Sequence, residues 1–122
     1  MKRQGIWFYG LAGSRKTYAS QLLASNLKLP FIIDGDTVRT IISTELGYTS
    51  HDRKIQIGRI LGISLMSIQN GYFPIASSVT MCPNILDVCA DNLIEVLEID
   101  DTPSYGLETV VRLGITGVVE CN

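Results

Sequence analysis

Gly10-Leu-Ala-Gly-Ser-Arg-Lys-Thr17, standing directly after the apolar run Gly5-Ile-Trp-Phe-Tyr9, is the stretch on which the fold turns. A strand that bends sharply into a helix can curl successive backbone N–H groups around an anion, and the pattern that does so is G-x-x-x-x-G-K-S/T. Gly10, Lys16 and Thr17 fit it, while Arg15 stands where the second glycine belongs. Glycine permits the required backbone conformation; a side chain at position 15 can force the chain out of it or occupy the space where phosphate oxygens approach. Lys16 is placed to reach β- and γ-phosphates as a point charge, and Thr17 to offer its hydroxyl to Mg²⁺. Gly10, Ala12, Gly13, Ser14, Arg15, Lys16 and Thr17 are therefore the candidate ATP-binding set. The plainer reading is a strand, a turn of small residues and a helix that hold no ligand, and the strand before with the helix after weighs against it.

Outward from this loop, short apolar runs alternate with longer segments of helical period, the habit of an α/β chain with a parallel sheet. The pattern predicts a helix from Lys16 to about Asn26 with Leu22 and Leu23 inward. It then predicts a buried strand through Leu29-Pro-Phe-Ile-Ile33 that ends at Asp34. Ligands of open α/β sheets bind beyond the carboxyl ends of the strands, so Asp34 and Asp36 belong on the same rim as the phosphate loop. Asp-Gly-Asp is also an ordinary turn with a helix cap, and Asp36 is the expected cap of the next helix. A long helix opens at Thr49 with Asp52 three residues on, places Ile57, Ile60, Leu61, Leu65 and Ile68 at helical spacing, and stops at Gly71. Gly58 and Gly62 fall inside it, and close packing against a neighbour is the expected compensation. Strands are predicted at Tyr72–Ser77 and Leu93–Ile99, with a helix from Asn84 to Asn92 between them. In the tail from Asp100, Gly114-Ile-Thr-Gly-Val118 reads either as a binding loop or as a fifth strand.

The chain has 122 residues, of which 46% are hydrophobic, and a net charge of −2, which fits one small domain and no second. Met1-Lys-Arg3 leads into the first strand and not into a signal-peptide core, and no apolar run approaches a membrane span. A soluble, cytoplasmic protein without a membrane partner is expected. The near-neutral balance, with no basic cluster, argues against nucleic acid. Cys82, Cys89 and Cys121 are odd in number with no C-x-x-C, so reduced thiols are expected and not a zinc site or disulfide framework.

Reading on through Asp34-Gly-Asp-Thr-Val-Arg39, Leu46-Gly-Tyr48, Asp52-Arg53 and Arg59, the chain resembles the adenylylsulfate kinase family over residues 5 to 100. Several independent motifs stand in the family's order and spacing, which a lone phosphate loop would not provide. The resemblance implies the three-layer fold of P-loop nucleoside-triphosphate hydrolases, a short parallel sheet flanked by helices. It implies transfer of the ATP γ-phosphate, with Mg²⁺, to the 3′-hydroxyl of adenosine 5′-phosphosulfate. Lys16, Asp34 and Asp36 then become the catalytic set. One of the two carboxylates draws the hydroxyl proton or organises the metal-bound water, and Thr17 and Asp34 face the metal. Asp36, Arg39, Tyr48, Arg53, Ser78 and Thr80 become the acceptor side. There the arginines hold an anionic group, Tyr48 stacks on the base, and Thr80 stands for the serine of the family's I-S-P segment. His51 matches nothing the family asks for and reads as an exposed residue. Dimers are common among such kinases, and a homodimer is expected.

Three departures qualify the resemblance. Arg15 is the first. Met81-Cys-Pro-Asn84 replaces the family's proline and arginines and removes positive charge from the acceptor side, which favours a different nucleotide acceptor. Cytidine diphosphoramidate, used by short relatives in surface-polysaccharide pathways, is the example. After Ile99 the family carries an R-D-x-K-G-L-Y lid; without it, exclusion of water around the γ-phosphate weakens and turnover is expected to be low. Two function classes follow: a kinase on a nucleotide-type acceptor, or a catalytically impaired relative whose Arg15 fills the phosphate site and whose fold serves binding.

Overall fold

Ile6 and Phe8 leave one side of the first strand and Trp7 leaves the other, and all three are fully buried, which requires a sheet covered on both faces. The structure is a computed structural model and describes residues 3–10 and 16–99. Its elements follow as β1 (Gly5–Tyr9), α1 (Lys16–Ala24), β2 (Pro30–Asp34), α2 (Gly35–Ile41), α3 (Ser50–Gln69), β3 (Phe73–Ser78), α4 (Pro83–Asp91) and β4 (Ile94–Glu98). Among the described residues the sheet has four strands in the order β2-β3-β1-β4, every pair parallel. On one face Ile6, Phe8, Phe73 and Ile75 pack with Ala19 and Leu23 of α1. On the other, Trp7, Ile33 and Ala76 pack with Val38, Ile57, Ile60, Leu61, Ile85 and Cys89 from α2, α3 and α4. This is the expected three-layer architecture.

Register brings the strand ends together: Tyr9 pairs with Ser78, and Asp34 with Ser77, so β1, β2 and β3 finish on one rim. Leu22 is the half-buried member of its pair and Leu23 the buried one. Two strands start a residue later than their apolar runs, because Leu29 and Leu93 take left-handed backbone angles, φ 51° and 59°. The run at Tyr72 likewise enters the sheet at Phe73. The second strand is not the buried strand its composition suggests. β2 is an edge of the described sheet, and Phe31 and Ile32 are exposed.

α3 follows the sequence closely. Thr49 is its N-cap, the hydroxyl accepting from the Asp52 N–H at 3.1 Å. Beyond the last turn, Gly71 adopts φ 81°, a conformation glycine takes at little cost. The expected packing at Gly58 and Gly62 is absent: both are exposed, and a Cβ at either would meet nothing within 4 Å among the described residues. Among the described residues nothing compensates the cost of these two glycines to the helix. Gly58→Ala with Gly62→Ala is expected to raise stability by about 1–2 kcal/mol, read as a higher urea midpoint with an unchanged slope.

Cys89 is buried, and burial pushes its thiol up to about 11, while Cys82 is half-buried. Neither is paired within the described residues, in line with reduced thiols. Cys121, the tail from Asp100 and the 114–118 segment lie outside the described residues.

Candidate active site

The Asp34-Gly-Asp36 turn is where strand becomes helix. Asp34 keeps extended angles, φ −79° and ψ 126°, and its Oδ1 accepts from the Asp36 N–H at 3.1 Å. Asp34, not Asp36, is thus the cap of α2, because the helix begins at Gly35 directly after the strand. Asp36 lies in the first turn with its carboxylate exposed, favourably placed at the positive end of the helix. Gly35 lies hard against the sheet: a Cβ there would sit 2.8 Å from the Ser77 carbonyl oxygen, an approach no side chain tolerates.

Lys16 opens α1, and its Nζ donates to the Gly10 carbonyl at 2.6 Å. Gly10 in turn donates its N–H to the Ser78 carbonyl at 3.1 Å, tying the start of the loop to β3. Partial burial lowers the Lys16 pKa, and the charges of Asp36 and then Asp34 push the other way. Thr17 is exposed one residue on. Ala12, Gly13, Ser14 and Arg15 lie outside the described residues.

The opposite wall is the 46–53 segment, gripped from three sides. Asp52 accepts the Gly47 N–H at 2.8 Å, Arg39 Nη1 donates to the Gly47 carbonyl at 2.9 Å, and Arg53 Nε donates to the Tyr48 carbonyl at 3.0 Å. The Tyr48 ring is 70% exposed, with the Arg39 guanidinium 4.3 Å and that of Arg53 5.9 Å from its centroid. A flat ring flanked by two guanidinium groups is suited to a planar, anionic ligand. Arg59 binds elsewhere, to Ser43 and through two bonds to Glu45, just before that segment in sequence.

These groups meet in one cavity of about 550 Å³. Lys16, Thr17, Asp34, Asp36, Arg39, Tyr48, Arg53, Ser78 and Thr80 all line it, so every described residue of the candidate set except Gly10 reaches its wall. His51 is exposed and is not part of the lining. The Ser78 hydroxyl is already engaged, accepting from Trp7 Nε1 at 2.8 Å and donating to the Thr80 carbonyl at 2.6 Å. Sequence reasoning missed Gln56, which lines the same cavity from α3. A polar residue one turn before Ile60 on the apolar stripe was the available signal.

The oxygen donors suit a hard cation. Thr17 and Asp34 supply one hydroxyl and one carboxylate, and no group of three His, Cys, Asp or Glu side chains that would form a protein cage occurs among the described residues. No helix of the described residues is long and apolar enough to cross a membrane.

The model of the adenylylsulphate kinase family matches residues 2–92. An adenylyl-sulfate kinase of Picosynechococcus sp. is 33% identical over 105 residues, 81% of this chain and 59% of its own length. One from a Synechococcus sp. is 32% identical over 132 residues, covering 94% of this chain and 74% of its own. The chain spans only 53% of a Bacteroides fragilis adenylyl-sulfate kinase, at 34% identity, so about half to three-fifths of these two shorter matches. The APS kinase of Mycobacterium tuberculosis, solved in complex with AMPPNP and APS, has the same fold, with a TM-score of 0.67 at 21% identity over 99% of this chain and 80% of that one. By the matched model and by these identities, the chain belongs to the adenylylsulphate kinase family.

Proposed function

We propose that this chain transfers the γ-phosphate of Mg-ATP to a hydroxyl of a nucleotide-type acceptor, with adenylylsulfate the first candidate. What supports the reading is the single cavity that Lys16, Thr17, Asp34 and Asp36 share with Arg39, Tyr48 and Arg53. Phosphoryl transfer needs positioning and charge stabilisation more than covalent chemistry, and this cavity offers a cation, two carboxylates and an aromatic–arginine clamp. Lys16 holds the β- and γ-phosphates. Gly10, Ala12, Gly13, Ser14 and Arg15 belong to the loop around them. Thr17 and Asp34 are the residues to hold Mg²⁺, which when bound neutralises charge on the transferring group. Asp34 is already engaged as a helix cap, so Asp36, with its exposed carboxylate, is the base that receives the hydroxyl proton. Arg39 and Arg53 hold the acceptor's anion, Tyr48 its base, and Thr80, beside Ser78, the far end.

The second acceptor, cytidine diphosphoramidate, rests on the Met81-Cys-Pro-Asn84 stretch that stands where the family has a proline and arginines. A groove of about 640 Å³ shares Arg53 and Thr80 with the cavity and is lined besides by Ser50, Lys54 and the uncharged Met81, Cys82, Pro83 and Asn84. The terminal phosphoramidate and the sulfate each carry one negative charge, so charge at this wall does not choose between the two acceptors and the assay below does. The same proposal has the enzyme acting in the cytoplasm as a homodimer, which light scattering on the purified chain tests. The deciding experiment is a coupled ADP-release assay across adenylylsulfate, cytidine diphosphoramidate and plain nucleoside monophosphates. Acceptor-dependent release with one of the first two supports the reading. No acceptor-dependent release with any of them overturns it and leaves a binding protein.

Lys16 also sets a pH limit. Phosphate binding needs the ammonium form, and burial lowers the pKa of this lysine in the free protein. Mg-ATP affinity is therefore expected to fall, as pH rises, before an ordinary lysine would lose its proton. Asp36→Asn or Asp34→Asn removes a compensating negative charge and moves that limb to still lower pH. In Lys16→Arg, whose guanidinium does not titrate in this range, the limb disappears. Affinity measured against pH for the four proteins checks this.

A further inference from the structure

Gln56 is 5% exposed, at the end of the second turn of α3, and its two amide ends have different fates. Nε2 donates to the Gly35 carbonyl at 3.0 Å, across a sequence separation of 21 residues. Oε1 is buried with no hydrogen-bond partner among the described residues. The assignment of the two ends is fixed by the carbonyl, which accepts and cannot donate. A neutral hydrogen bond gives a small net gain, whereas a buried unsatisfied acceptor costs more than that gain. The amide's net contribution to the stability of the fold is therefore expected to be small.

What the amide does hold is the carboxylate turn. Gly35 lies between Asp34 and Asp36, with the Ser77 carbonyl on its sheet side and Gln56 on its α3 side. Only a glycine fits the first contact, and only a donor of this length serves the second. We infer that Gln56 is a positioning residue that locks the Asp34-Gly35-Asp36 turn between β3 and α3, and so fixes both carboxylates at the cavity wall. The inference rests on the proposed phosphotransfer for its kinetic readout and on the turn geometry for its spectroscopic one. A carboxylate displaced by a fraction of an ångström keeps its charge in the cavity but loses its alignment with the reacting hydroxyl. Loss is then expected in turnover and not in Mg-ATP affinity.

Gln56→Met and Gln56→Asn test this in the full chain, the first removing both amide ends and the second keeping the amide on a side chain too short to reach the Gly35 carbonyl. Expected for both is a fall in kcat of roughly 10- to 100-fold with KM for Mg-ATP within about twofold of wild type. For Gln56→Met the urea midpoint is expected to change little. Carbonyl ¹³C and amide ¹H shifts are to be followed at Gly35 and Asp36, where loss of the bond moves both. Wild-type kcat in Gln56→Met, unmoved Gly35 and Asp36 resonances, or loss of folding in Gln56→Met would each overturn the inference. If wild-type protein itself shows no phosphotransfer, the proposed function fails, and the resonances still decide whether Gln56 holds the turn.

Discussion

Lys16→Ala lowers kcat/KM for Mg-ATP by about 10²–10³-fold, the scale on which loss of one preorganised charge donor to a transition state is felt. Lys16 stands at the first position of α1, donates to the Gly10 carbonyl and faces Asp34 and Asp36 across one cavity. No second lysine lines that cavity among the described residues, so none of them supplies a neighbouring ammonium to take over its charge. The bond to the Gly10 carbonyl is lost with the side chain, so stability is measured alongside activity. Steady-state kinetics beside a thermal melt separate the two effects. A variant that keeps wild-type kcat/KM would remove Lys16 from the machinery.

Asp36→Asn lowers kcat by roughly 10²–10⁴-fold, the range general-base groups contribute, with a smaller change in KM for the acceptor. Asp34→Asn is the informative companion. Asparagine caps helices as well as aspartate does, so the bond to the Asp36 N–H survives the change and α2 keeps its start. Its effect is then confined to the charge that faces Mg²⁺ and Lys16, and it appears as a higher Mg²⁺ requirement more than as a lower maximal rate. If instead Asp34→Asn carries the larger loss at saturating Mg²⁺, the roles of the two carboxylates are exchanged.

The phosphate loop's flanks and α3 were legible in sequence because each carries a strong local signal: a strand run ending in glycine, and a Thr49–Asp52 cap followed by five apolar residues at helical spacing. The rim followed from Asp34 alone, since a carboxylate ending a parallel strand must stand at the sheet's carboxyl edge. Other features were hidden for physical reasons. Apolar composition does not distinguish an edge strand from a central one, so the exposure of Phe31 and Ile32 needed the strand order. Gly58 and Gly62 were expected to be packed because glycine in a helix usually answers a contact; here they face outward. The cap fell on Asp34 and not Asp36 because no linker separates β2 from α2. Gln56 broke the apolar stripe of α3, but its partner is a backbone carbonyl, so the spacing did not show what the amide binds.

Arg15 is where the account is most exposed, since its position in the pattern asks for glycine while everything described around the cavity suits a nucleotide. The direct measurement is calorimetric titration of Mg-ATP into the wild-type chain and into Arg15→Gly. The account predicts binding to both, at micromolar affinity, with the glycine variant the tighter. Heat with the variant alone would mean that Arg15 disables the site in this protein, and heat with neither would contradict the nucleotide-binding reading altogether.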